Sequence, residues 1–259
     1  MSHQEIHNKT VEVRALRIGE GIPKICVPMT GKTVRDLCNE AELLRKAGAD
    51  LAEWRVDWFT QWRSEDSVDE ALHLIRSSLK EIPLLVTFRT HLEGGNSEIT
   101  TEEYGNLYRT VLNSGQADLI DLELFFDDTV VSELITEAKA AGVKIVCSNH
   151  DFTKTPDEGE LRSRLKKMEQ LGADIAKIAV MPRSAGDVAV LLKVTAESAE
   201  ELNCPVITMS MGRTGVISRM AGQIFGSCVT FGTVGNASAP GQIPLEQLKE
   251  VLSLIDSVQ

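Results

Sequence analysis

The feature that most constrains this chain is an alternation. From Lys24 onward, short β-branched runs take turns with longer amphipathic stretches, and the pattern does not change character along the rest of the chain. The runs that read as strands are Lys24 to Pro28, Leu51 to Val56, Leu84 to Arg89, Leu119 to Leu124, Lys144 to His150, Ile175 to Val180, Val206 to Met211 and Cys228 to Val234. Eight β-then-α units suit a closed (β/α)8 TIM barrel better than a doubly wound open sheet, which more often carries about five or six strands. The expectation is a single barrel domain over residues 1–259.

Local signals agree with that pattern. Thr155-Pro156-Asp157-Glu158 offers an N-cap, a proline at N1 and a glutamate at N3, and Thr100 with Glu103 offers a capping box. Gly48, Gly142 and Gly172 follow helical stretches, where a C′ glycine takes positive φ at low cost. Val11 to Arg17 alternate apolar and polar before Gly19-Glu20-Gly21, which predicts a hairpin over residues 11–21 that closes the bottom of the barrel. The polar opening, Met1 to Lys9 and the Thr10 after it, is expected to be disordered.

Polar residues stand where a barrel interior should be apolar. Side chains two apart on a strand share a face, and the inward face near the strand's C-terminal end forms the catalytic mouth of such barrels. Glu53, Arg55 and Asp57 fall at period two, Asp121 and Glu123 share a strand, and Arg89 and His150 end theirs. An ion-pair layer closing the barrel would account for the carboxylates and Arg55. Lys177, between Ile175, Ala176, Ile178 and Ala179, is harder to explain that way. A buried ammonium must pair with a carboxylate or lose its proton. At the reference pKa only about one lysine in 2500 is a free amine at pH 7, and desolvation with nearby positive charge from Arg55, Arg89 or His150 would make Lys177 a Schiff-base nucleophile.

Past the seventh and eighth strands come Met211-Gly212-Arg213-Thr214-Gly215, Ser218-Arg219 and Ser238-Ala239-Pro240-Gly241-Gln242. Glycine loops there bind phosphate in many barrels, and Arg219 with Ser238 and Gln242 fits a planar carboxylate equally well. Gly94-Gly95-Asn96-Ser97 reads as either a lid or an idle surface loop. The histidines show no metal-ligand spacing, so neither a metal nor a cofactor is expected.

Bulk properties exclude whole classes of partner. A formal charge of −11 argues against nucleic acid and anionic membrane surfaces, and no apolar run approaches a membrane span. Five widely spaced cysteines read as buried thiols in a reducing compartment, so the cytoplasm is the expected location.

Eight strings, in order along almost the whole chain, resemble the type I 3-dehydroquinate dehydratases. They are Glu53-Trp54-Arg55-Val56-Asp57, Thr87-Phe88-Arg89, Glu93-Gly94-Gly95, Asp121-Leu122-Glu123-Leu124, Ser148-Asn149-His150-Asp151-Phe152, Lys177-Ile178-Ala179-Val180-Met181-Pro182, Gly215-Val216-Ile217-Ser218-Arg219 and Ser238-Ala239-Pro240-Gly241-Gln242. The resemblance implies a hydro-lyase acting on a small molecule, 3-dehydroquinate, by syn elimination of water through a lysine Schiff base in the shikimate pathway. It implies Lys177 as the imine former, His150 as base and then acid, and Glu93 as the group that orients His150. It further implies Glu53, Arg55 and Arg89 on ring hydroxyls, Arg219, Ser238 and Gln242 on the carboxylate, Phe152, Met209 and Phe231 as apolar walls, and a homodimer. Two positions depart from the pattern: Met211-Gly212-Arg213 replaces a small residue and a lysine, and Pro28 stands where many members have serine. A class I aldolase or transaldolase and a non-catalytic sugar-acid-binding barrel are the alternatives.

Overall fold

The computed structural model describes residues 9–235 and 239–258. The expected disorder of residues 1–8 and the proposed contact through Ser238 lie outside the described residues. Lys9 is placed, its Nζ donating to the carbonyls of Ala199 and Glu200.

A hairpin of β1 (Val11–Val13) and β2 (Leu16–Ile18) precedes the barrel. The staves are β3 (Lys24–Met29), β4 (Leu51–Arg55), β5 (Leu84–Thr87), β6 (Leu119–Glu123), β7 (Lys144–Asp151), β8 (Ile175–Val180), β9 (Val206–Ser210) and β10 (Val229–Thr233). Each begins and ends within two residues of its sequence-based prediction. They pair in parallel from β3 to β9 in chain order, with β10 against β3, and the two-residue β11 (Ile243–Pro244) extends the sheet beside β10. Helices α1 (Val34–Ala47), α2 (Glu65–Leu79), α3 (Thr101–Ser114), α4 (Asp128–Ala140), α5 (Glu158–Leu171) and α6 (Ala185–Glu201) return the chain along the outside. This is the (β/α)8 barrel.

Alternation divides the interior into layers. Leu51, Leu85, Leu119, Val146, Ile175 and Ile207 form an apolar floor, and Val11, Val13 and Ile18 of the hairpin pack into the same cluster and seal its lower end. One step higher, the same inward face carries Glu53, Thr87, Asp121, Ser148 and Lys177, all buried. The outward alternates, among them Trp54, Ile120 and Ile178, pack under the helices.

Neighbouring staves are clipped in pairs at the floor. Asp50, Asp118 and Asp174, which directly precede β4, β6 and β8, accept from the Ile25, Leu84 and Ile145 amides of the preceding staves at 2.8, 2.8 and 2.9 Å. Ser227 repeats the device before β10, its Oγ accepting from Thr208 N at 3.1 Å. The three aspartate clips each satisfy an amide at the start of a strand, and the serine clip satisfies one in the middle of β9.

The caps bear out most of the sequence signals. The Thr100–Glu103 capping box forms in both directions, and Gly48, Gly142 and Gly172 take φ of +72°, +72° and +92°. The cap of α5 falls two residues later than predicted. Asp157 is the N-cap, accepting from Glu160 N at 2.9 Å, because Thr155 turns its hydroxyl to Met181 O instead.

The seventh unit departs from the expected pattern. In place of one long helix stand α7 (Ile217–Met220) and α8 (Gly222–Phe225), before α9 (Leu245–Ser257) completes the ring. Among the described residues, β9 and β10 meet only at their lower ends, by a bridge at Val206 and Ser227 and by Cys228 N donating to Val206 O. Above that point α7 is wedged between them. Ser218 Oγ accepts from Ser210 N on β9 at 2.8 Å, and Thr230 Oγ1 of β10 donates to Arg219 O at 2.8 Å.

Asp118 also accepts from Arg14 Nε at 2.7 Å and Arg76 Nη2 at 2.5 Å, tying the hairpin to the floor. Asp118→Ala is therefore expected to lower unfolding free energy by about 2 kcal/mol, since a buried amide and a half-buried arginine lose their acceptor. Urea denaturation measures this, and an unchanged midpoint would refute the clip's importance.

Candidate active site

The top of the barrel holds a cavity of about 220 Å3. Its polar wall is Glu53, Arg55, Arg89, Glu93, His150 and Lys177, its apolar wall is Phe152, Met209 and Phe231, and Arg219 with Gln242 stands at the third side. Every residue proposed from sequence meets there except Ser238, about which nothing is described. Pro28 and Met211, the two departures from the family pattern, also line the cavity.

Lys177 takes the pairing branch of the choice posed by its sequence context. Its Nζ donates to Asp121 Oδ2 at 2.8 Å, stands 3.6 Å from Glu53 Oε1 and lies 4.7 Å above the Phe231 ring. The register that pairs Ser148 with Lys177 on β8 and Glu123 with Ser148 on β7 puts Asp121 within reach across two staves. Sequence reasoning had Asp121 only as a member of an ion-pair layer. Its inward period-two position next to Glu123 was the available signal.

Arg89 is the hub. Its Nη2 donates to Asp121 Oδ1 at 2.8 Å, and its Nη1 donates to Glu123 Oε1 at 2.9 Å, Ser148 Oγ at 3.0 Å and Glu93 Oε2 at 3.3 Å. Burial alone would weaken the Arg89 cation, and the charges of Asp121, Glu123 and Glu93 more than reverse that, holding it charged. Burial would likewise raise Asp121, yet Arg89 and Lys177 hold its carboxyl far below the usual range. Asp121 therefore stays an anion, and Ser148 Oγ donates to it as well.

Glu93 and His150 form a second unit. His150 Nδ1 lies 3.0 Å from Glu93 Oε2, which also accepts the His150 backbone amide at 2.9 Å, while Glu93 Oε1 accepts from Asn149 Nδ2 at 2.8 Å. Burial, then the charges of Arg89 and Lys177, push the imidazole well below its ordinary value, so the ring is neutral at pH 7. Burial and Glu123 push the Glu93 carboxyl up, against the pull of Arg89 and of the Asn149 and His150 donors, and both its oxygens accept from N–H groups as a carboxylate does. The two share an acid–base site in which an added proton belongs to the pair.

Glu93 is carried by a single turn, His91–Glu93, that is pinned rather than loose. Arg55 and Asp57 bond through both oxygens at 2.8 Å, and Asp57 then accepts from Asn96 N at 2.9 Å, while its carbonyl accepts from Ser97 Oγ at 2.8 Å. The loop beyond Glu93 is thus neither an idle surface loop nor free. Gly95 is required there, because a Cβ would sit 1.8 Å from Arg89 O.

Arg219 differs from the other cations. It is 2 % exposed, yet its described partners are Pro240 O at 3.1 Å and Met209 Sδ at 3.9 Å, and Nε has none. Burial without a facing carboxylate pushes it down to about 10. A buried cation of this kind favours an incoming anion. Among the described residues no cluster of His, Cys, Asp and Glu could hold a metal ion, and no helix is long and apolar enough to cross a membrane.

Comparison with known proteins follows the same lines. Residues 25–259 match the family model described as Type I 3-dehydroquinase. A 3-dehydroquinate dehydratase of Listeria monocytogenes is 52% identical over 248 residues, 96% of this chain and 98% of the relative, and one from Klebsiella pneumoniae is 50% identical over 246 residues, 95% and 98%. A Type I 3-dehydroquinate dehydratase from Clostridium difficile, solved with covalent modified comenic acid, superposes with a TM-score of 0.93 at 47% identity, covering 96% of this chain and 98% of its own. The 3-dehydroquinate dehydratase of Geobacillus kaustophilus gives 0.95 at 38%, covering 98% and 99%.

Nitrogen NMR of the free protein is expected to show the His150 ring neutral at pH 6.5, where an ordinary histidine is half protonated. An imidazolium signal at that pH would overturn the charge assignment.

Proposed function

Since the chain belongs to the type I 3-dehydroquinase family and so dehydrates 3-dehydroquinate to 3-dehydroshikimate in the shikimate pathway, we propose that its single barrel domain does this through an imine on Lys177. The observation that carries the proposal is the placement of the Lys177 amine in one cavity with the His150–Glu93 pair and with Arg219, which meets no carboxylate among the described residues.

Arg219 and Gln242, with Ser238, receive the substrate carboxylate. Glu53, Arg55 and Arg89 meet the ring hydroxyls, and Phe152, Met209 and Phe231 hold the ring. The Lys177 amine adds to the C3 ketone, and the ketone oxygen leaves as water, taking one proton from the nitrogen and a second that His150 relays from solvent, which leaves a protonated imine. Asp121, whose Oδ2 lies 2.8 Å from the Lys177 nitrogen, remains an anion, so its charge favours the iminium. The iminium draws electrons and acidifies the C2 proton. Neutral His150 takes that proton, with Glu93 holding Nδ1 so that Nε2 carries the lone pair. The resulting enamine pushes out the C1 hydroxyl, which leaves as water with the proton from His150. Hydrolysis of the conjugated iminium frees the product and restores the amine. One group on one face serves both proton transfers, which suits a syn elimination.

A homodimer in the cytoplasm is the setting we propose. Five free cysteines suit a reducing compartment, and exposed Ile217, Ile224 and Leu254 on the mutually packed α7, α8 and α9 suit a self-contact.

Borohydride trapping with 3-dehydroquinate is expected to add the reduced substrate at Lys177. Lys177→Ala should give no adduct and no ultraviolet enone signal, and His150→Ala should still trap but lose roughly a thousandfold in kcat. Normal turnover by either variant would refute its role. Arg219→Gln is expected to raise KM by roughly ten- to a hundredfold, and an unchanged KM would remove the carboxylate assignment.

A further inference from the structure

The Glu93–His150 pair is wired to the outside of the barrel. Asn149 is an outward alternate of β7, and its side chain reaches over the rim, with Nδ2 donating to Glu93 Oε1 at 2.8 Å and Oδ1 accepting from Arg164 Nη1 at 2.6 Å. Arg164 belongs to α5, and its guanidinium is nearly buried, lying 5.5 Å from the Phe125 ring and bonded to Glu160.

We propose that Arg164 and Asn149 are positioning residues for the acid–base pair, setting its proton arrangement from the helix layer through the polarity of one amide. This inference rests on the role of the pair proposed above. The reason lies in the donor inventory. Arginine can only donate, so Arg164 fixes Oδ1 of Asn149 on its own side and leaves only Nδ2 for Glu93. A donor at Oε1 favours the ionised carboxylate, and the carboxylate favours the His150 tautomer with its proton on Nδ1. The free lone pair of Nε2 then faces the substrate. Without Arg164 the amide is free to flip, presenting an oxygen to Glu93 and favouring its protonated form.

Other charged and titratable groups face the pair from every side: Arg55 and Glu53 from β4, Arg89 from the end of β5, Asp121 and Glu123 from β6, Cys147 from β7 and Lys177 from β8. Changing Arg164 or Asn149 leaves all of these in place, so the effect of the amide is separable from theirs.

The test is the pH profile of kcat/KM for the full-length enzyme, with melting temperature recorded for each variant. Arg164→Met and Asn149→Ala are expected to move the acid limb up by roughly half a unit to one unit and to lower kcat about tenfold, with KM changed less than threefold. Arg164→Lys, which keeps a donor at Oδ1, should restore the limb to within about 0.3 unit of the parent and remains informative if the methionine variant folds poorly. In a Glu93→Gln background, Arg164→Met should shift nothing further. A lowered melting temperature with an unmoved limb would mean a purely structural contact and overturn the inference. If Glu93→Gln itself leaves the limb and kcat unmoved, the role of the pair falls and this inference with it. If Glu93→Gln moves them and Arg164→Met does not, only the inference about Arg164 and Asn149 falls.

Discussion

Everything at the top of this barrel depends on how buried charge is balanced. Bringing ions out of water costs several kcal/mol each unless partners replace the lost hydration. The interior answers with unequal pairing: Arg89 meets three carboxylates, Lys177 is held chiefly by Asp121, and Arg219 meets none among the described residues. That gradient makes Arg89 a framework member, holds Lys177 against one close carboxylate, and leaves Arg219 a buried cation that favours an incoming anion. An overall charge of −11 conceals this local arrangement.

The carboxylates divide the work by environment. Asp121 sits between two cations and stays ionised, whereas Glu93 lies at the rim beside Glu123 and is pushed toward its acid form. Glu123 itself is engaged with Arg89 and with the Thr90 amide and hydroxyl. Two carboxylates one above the other in one barrel thus meet different environments, one between two cations and the other paired with a neutral imidazole.

The seam between β9 and β10 shows how the fold makes room for a ligand. A fully laddered ring would fill its mouth with side chains from every stave. Here the ladder stops above the Val206–Ser227 bridge, and α7 enters the gap, carrying Arg219 to the cavity edge. The loops close over it where Gly212 N donates to Pro240 O at 3.2 Å. The periodicity of the segment between those strands gave no warning of this, because four-residue helices are too short to leave a period.

Much of the molecule was legible in its residues. Period two and β-branched runs located all eight staves, since each has one face in the barrel and one under a helix, and that constraint writes itself into composition. Polar residues on the inward face marked Glu53, Arg55, Arg89, His150 and Lys177, since such residues are costly there without a task. The sequence by itself therefore determined the architecture and which residues could carry chemistry. Only the tertiary structure decided the pairing: that Lys177 faces Asp121, that Arg89 is committed to three carboxylates, and that Asn149 links His150's partner to a helix outside. Except for Arg89 with Glu93, four positions on, those contacts join residues 15 to 56 positions apart, and their geometry follows from barrel register, a long-range property that no local pattern encodes.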